Sequence, residues 1–140
     1  MEHEHVRPRP AGVDDATVAA LGKLSEAFET AEHARGLLYG FHRLTGSADL
    51  ALGEAVAALR DAGHTAIADR IDDELVGRNV IQGRWTFQLV EEYDDGYFAL
   101  FRELERAARV ELADGVRHLA EAEMKDANRT AGRPGHEARP

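Results

Sequence analysis

The 140-residue chain contains no cysteine, and that absence excludes a disulfide framework, thiol catalysis and thiolate metal sites. Proline is confined to the two ends: Pro8, Pro10, Pro134 and Pro140 are the only four. A proline-free stretch from Val13 to Asn128, rich in Ala, Leu, Glu and Arg, favours helix throughout. Long apolar runs are missing as well. The segment Met1 to Pro10 carries charge without an apolar core, so no secretory signal is expected, and no later stretch is long enough to span a bilayer. The expectation is a cytoplasmic protein without a membrane partner. Lysine is scarce, with Lys23 and Lys125 alone, and the formal net charge is −9. That balance opposes binding to nucleic acids and to anionic membranes, so no nucleic-acid partner is expected. Serine occurs only at Ser25 and Ser47, neither beside a plausible base. The P-loop, Gly-x-Gly-x-x-Gly, Gly-x-Ser-x-Gly and His-Glu-x-x-His patterns are all absent.

What is present is helical patterning. Apolar residues make up 44% of the chain and charged residues 31%, a composition that folds. Residues 13–128 read as one helical domain, with disordered tails over 1–12 and 129–140. Asp14 can cap a first helix, with Val13 placed to meet Val18. Ala20, Leu24, Ala27, Phe28, Ala31, Ala34, Leu38 and Phe41 recur at the helical period. Gly46 is a plausible stop, giving a helix of about 30 residues, roughly 45 Å. Asp49 and Thr65 can cap two short helices ended by Gly63 and Gly77, an antiparallel hairpin. Thr86 reads as the cap of a last helix of about 40 residues, with Trp85 placed to touch Val90. Its apolar face runs from Val90 and Tyr93 through Tyr97, Leu100, Phe101 and Leu104 to Ala122. Gly96 and Gly115 are points where it can bend. Gly22, Gly36 and Gly40 in the first helix either admit a closely packed neighbour or are simply tolerated.

The fold expected is therefore all-α. Two long antiparallel amphipathic helices carry an inserted short helical hairpin, and a homodimer completes a four-helix core. Two helices this long cannot be covered by two of about 12 residues, so a second copy or another protein is the expected partner.

Antiparallel pairing places His42 of the first helix near Val90 to Asp94 of the last and Arg35 near Tyr97, with Arg84 and Trp85 in the loop beside them. Two readings stand: a half-buried polar pocket for a small ligand, or a paired network that fixes helix register. An arginine pair beside an aromatic suits an anionic or planar ligand. Metal is not expected, and no cofactor is implied. A di-iron bundle needs Glu-x-x-His on two helices. Here Glu29 and His33 lie on the polar face, while His118 and Glu121 stand in reversed order.

Gly77-Arg78-Asn79-Val80, Gly83-Arg84-Trp85-Thr86-Phe87-Gln88 and Glu91-Glu92-Tyr93-Asp94-Asp95-Gly96-Tyr97 resemble a family of conserved actinobacterial helical proteins. Glu121-Ala122-Glu123-Met124-Lys125 and the Gly132-Arg133-Pro134-Gly135-His136-Glu137 tail fit the same resemblance. The excess of arginine over lysine agrees with a GC-rich genome. The family carries no assigned activity, so the resemblance implies source and compartment but transfers no site. Taken together, the residues point to a non-enzymatic helical interaction or assembly protein. A ligand-binding bundle is the alternative, and a metal-dependent oxidoreductase a more distant one.

Overall fold

The computed structural model describes residues 8–138; the ends of both expected tails, residues 1–7 and 139–140, lie outside them. In chain order come α1 (Asp15–Asp61), α2 (Thr65–Glu74), α3 (Thr86–Tyr93), a π-helical turn (Asp94–Phe98), α4 (Ala99–Ala113) and α5 (Leu119–Asn128). Among the described residues the only β feature is an isolated bridge between Ile81 and Arg84. The chain is all-α, as its proline-free composition requires.

The first helix starts where the sequence places it. Asp14 Oδ1 accepts the Thr17 backbone N–H at 2.8 Å, which satisfies one of the unpaired donors of the first turn. Its end is different. Gly46 does not stop α1, which continues for 47 residues, about 70 Å at 1.5 Å per residue. The Thr-Gly-Ser stretch is absorbed because its hydroxyls bond within the helix: Thr45 Oγ1 donates to the Phe41 carbonyl and Ser47 Oγ to the Arg43 carbonyl. Termination waits for Gly63, whose φ of +86° lets the chain leave the helix without a Cβ clash. The first of the two expected short helices is thus the end of α1. Asp49 therefore caps nothing in α1; its Oδ1 accepts the Gly77 N–H at 2.9 Å instead.

The last helix is shorter and broken. Around Gly96 the backbone widens into the π turn, which inserts one residue into the i→i−4 ladder. At Asp114 and Gly115 two successive left-handed residues, φ 51° and 76°, end α4 and turn the chain before α5. Trp85 rather than Thr86 is the N-cap residue of α3, and its N–H is accepted by Gln88 Oε1 at 2.8 Å.

The chain divides into two compact units. One comprises residues 1–32 and 99–140. In it α1 and α4 run antiparallel, since Phe28 meets Phe101 with ring centroids 5.7 Å apart and Ser25 Oγ donates to Glu105 at 3.4 Å. Its core is Val18, Ala113 and Leu119, with Val13, Leu21, Val116 and Ala120 packed around them. Gly22 is what admits α5. A Cβ built there would lie 2.6 Å from the Ala120 Cβ, whereas Gly36 and Gly40 face open space. The described part of the C-terminal segment folds back on α5, with Arg129 donating to Asp126 and to the His136 carbonyl.

The other unit comprises residues 33–98. Its α1 segment runs antiparallel to α3 and the π turn, and its buried residues are Val56, Ala68 and Val90. Arg60 pairs with Asp69 across the α1–α2 turn, a contact that ties the hairpin.

Along α1 two seams follow the same 4–3 spacing, one residue apart. Leu21, Phe28, Ala31, Arg35, Leu38, His42, Thr45, Asp49, Leu52, Val56 and Leu59 are all buried or half-buried. Stepping back one residue turns about 100° around the helix. There lie Ala16, Ala20, Lys23, Ala27, Thr30 and Ala34, then Leu37, Phe41 and Leu44, then Ala48, Ala51, Ala55 and Ala58, every one of them exposed. The single apolar face read from periodicity is these two seams merged: Leu24, Phe28, Ala31 and Leu38 belong to the covered one, Ala20, Ala27, Ala34 and Phe41 to the exposed one.

Candidate functional site

In the 33–98 unit two of the expected polar residues, Arg35 and Asp94, pair with each other, while His42 bonds to Thr86. The Arg35 guanidinium grips Asp94 through two parallel bonds, Nε to Oδ1 at 2.9 Å and Nη2 to Oδ2 at 3.0 Å. Each side chain keeps about a third of its surface in water (35% and 32%). The Arg35 guanidinium also lies 5.1 Å from the Tyr39 ring centre, so its aromatic neighbour is Tyr39. Tyr97 pairs its ring with Tyr93 at 5.9 Å and is itself 61% exposed. His42 sits one helical turn from the place expected for it, with Nδ1 2.7 Å from Thr86 Oγ1. The hydroxyl available to cap α3 is used here, which is why the cap falls on the Trp85 backbone.

Arg84 forms an ion pair with Glu92. Trp85, 57% exposed, has its ring 5.2 Å from that of Phe87. Of the six candidate residues, Arg35 and Asp94 are joined by the forked ion pair.

The forked hydrogen bonds hold the Asp94 carboxyl below its ordinary range, against a smaller opposing effect of desolvation, and hold Arg35 above its own. A carboxylate whose folded pKa is lowered stabilises the fold above its unfolded pKa, near 4, and loses that contribution as pH falls through the folded value. Asp94→Asn is therefore expected to melt below the wild type at neutral pH, with the gap closing below about pH 4. Thermal melts of both proteins across that range give the result directly; a gap that persists undiminished in acid would show that the ion pair is not its source.

In the 1–32 and 99–140 unit a cleft of about 330 Å³ opens between α1 and α4, lined by Phe28, Glu29, Glu32, Arg102, Arg106 and His118 among others. Two of its arginines are held by their own helix. Arg106 pairs with Glu103 at 2.7 Å, and Arg109 with Glu105 at 3.1 Å. Arg109 also donates to the Gly115 carbonyl, closing the end of α4. Beside the cleft, Glu29, His118 and Glu121 bring one ligand atom each to within 4.8 Å of the others. The sequence sets Glu29 with His33 on a polar face and shows His118 and Glu121 only as a reversed pair, without joining the three. The missing signal was the left-handed pair at Asp114 and Gly115, because a last helix drawn straight carries His118 and Glu121 away from α1.

No protein-family model, curated protein or solved structure matches the chain.

Proposed function

We propose that this protein is a non-enzymatic helical assembly module of the cytoplasm that pairs with a second copy of itself through the exposed seam of α1. One observation carries the reading: three successive large apolar residues of this seam stand in water, with Leu37 65%, Phe41 42% and Leu44 72% exposed. Contiguous exposed apolar surface marks an interaction site far more often than an isolated exposed leucine does. The seam carries no carboxylate, although 26 of the 140 residues are Asp or Glu. Two copies each bearing −9 would repel through any acidic face, so this seam, whose one charged residue is Lys23, is the surface on which they can meet.

Its size pattern favours self-pairing. The three large residues sit near the middle of α1 with alanines on both sides. Antiparallel pairing about a two-fold axis between Phe41 and Leu44 sets Phe41 against Leu44, Leu37 against Ala48 and Ala34 against Ala51. Large residues thus meet at the centre and small ones on either side, as a self-complementary contact requires. Among the described residues no helix is long and apolar enough to cross a membrane.

The lack of cysteine makes a direct test simple. A spin label on Ala55→Cys is expected to report about 38 Å between copies, 25 residues of helical rise across the two-fold axis. A separation near 10 Å, the spacing of parallel neighbours, or no dipolar coupling at all, contradicts the arrangement.

A further inference from the structure

We infer that Glu29, His118 and Glu121 form a binding site for a divalent metal ion of the zinc class, independent of the α1 seam. The three come from two elements that the fold locks together. Glu29 is two helical turns after Gly22 on α1, and Gly22 is where Ala120 of α5 makes its close approach. That contact fixes the start of α5 against α1 and sets His118 and Glu121 beside Glu29. His118 Nδ1 is 3.8 Å from Glu121 Oε2, and all three ligand atoms lie within 4.8 Å of one another. Ligand atoms on a tetrahedral zinc, at bond lengths of about 2.0–2.2 Å, stand roughly 3.4 Å apart. Closing the triangle thus needs small side-chain rotations and no backbone movement.

The donor set decides the class of ion. One imidazole nitrogen with two carboxylate oxygens suits zinc and its neighbours, whereas magnesium and calcium take oxygen alone. Three protein ligands leave a fourth position for water. Charge agrees: two carboxylates and a neutral imidazole carry −2 towards a dication. Of the four arginines that line the adjoining cleft, Arg102, Arg106, Arg109 and Arg117, Arg106 and Arg109 are paired with Glu103 and Glu105. An i,i+3 His–Glu contact on one helix is common at surfaces and means little. The third ligand, delivered from a different helix by a glycine-dependent contact, is what distinguishes this cluster.

The test is zinc titration of the full-length chain by calorimetry, in a His3→Ala/His5→Ala background because those two histidines offer competing ligands. One zinc per chain is expected. Glu29→Gln, Glu121→Gln and His118→Asn should each weaken binding at least tenfold, with helicity unchanged by circular dichroism. Asparagine is chosen at His118 because its backbone, at φ 58°, is left-handed, a conformation asparagine tolerates. X-ray absorption of the zinc-loaded protein should show a single imidazole among oxygen donors. No saturable binding below millimolar zinc, affinity unmoved by all three substitutions, or two imidazoles on the metal would each overturn the site.

Discussion

Leu44→Glu is expected to weaken self-association about a thousandfold or more, equivalent to roughly 4 kcal/mol, while leaving the folded chain intact. Leu44 stands 72% exposed at the centre of the seam. Burying a leucine contributes about 1.5–3 kcal/mol when the whole side chain leaves water, and the two-fold axis counts this residue twice. Glutamate forfeits that contribution and sets two carboxylates at the centre of an apolar contact, where desolvation costs several kcal/mol more for each. Within one copy the change is benign. The side chain already points to water, and leucine and glutamate are both good helix formers. Leu44→Ala should weaken association less, by the transfer contribution alone. Sedimentation velocity of the three proteins across a concentration series, with melting followed in parallel, separates the effects. If Leu44→Glu unfolds the chain or leaves association unchanged, Leu44 does not lie in the interface.

Gly22→Ala carries the second large effect, and it acts on folding. An added Cβ would lie 2.6 Å from the Ala120 Cβ, well inside contact distance, and the neighbour is a methyl group fixed directly to backbone, with no flexible end to move aside. Overpacking of this kind costs about 1–3 kcal/mol. The gain of roughly 0.5–1 kcal/mol in helix propensity offsets only part of it. The consequence is local: α5 must move off α1, loosening the packing of Leu119 and Ala120 around Val18 and Ala113. Gly22→Ala/Ala120→Gly removes the clash from the other side and should recover a good part of the loss. The coupling between the two sites in a double-mutant cycle isolates the contact from the propensities. Purely additive effects would mean that the two backbones do not meet there. In zinc titration, Gly22→Ala should also weaken binding, because the same contact brings His118 and Glu121 to Glu29.

The fold class was legible because it depends on what the chain lacks: with no proline between Val13 and Asn128, nothing interrupts helix until glycines take left-handed backbone. Gly63 and Gly77 were legible as helix ends and Gly115 as a bend, and all three take positive φ; Gly46 also reads as a stop and is not one. Gly46 and Gly63 look alike in sequence, yet Thr45 and Ser47 bond back into α1 and carry it past Gly46, whereas only Gly63 adopts a positive φ. Periodicity found the apolar character of α1 but averaged two seams one residue apart. Separating them requires knowing which seam a neighbour covers, and that is a tertiary fact. Arg35, His42 and Asp94 were legible as polar residues bordering apolar faces, but their register was not: Arg35 was expected beside Tyr97, and it is Arg35 that meets Asp94. His42 was drawn instead to the Thr86 hydroxyl, and the break at Asp114 and Gly115 hid the third cluster by redirecting α5. Surplus apolar surface, the feature that argues for a partner, was visible from helix length alone; its place on α1 was not.

The mass of the untagged wild-type chain at sedimentation equilibrium, at micromolar concentration, tests self-pairing most directly. Twice the 15.4 kDa chain mass is predicted, falling to a single chain mass in Leu44→Glu. A wild-type chain that stays at 15.4 kDa up to tens of micromolar, far above the dissociation constant of a specific dimer, would contradict it.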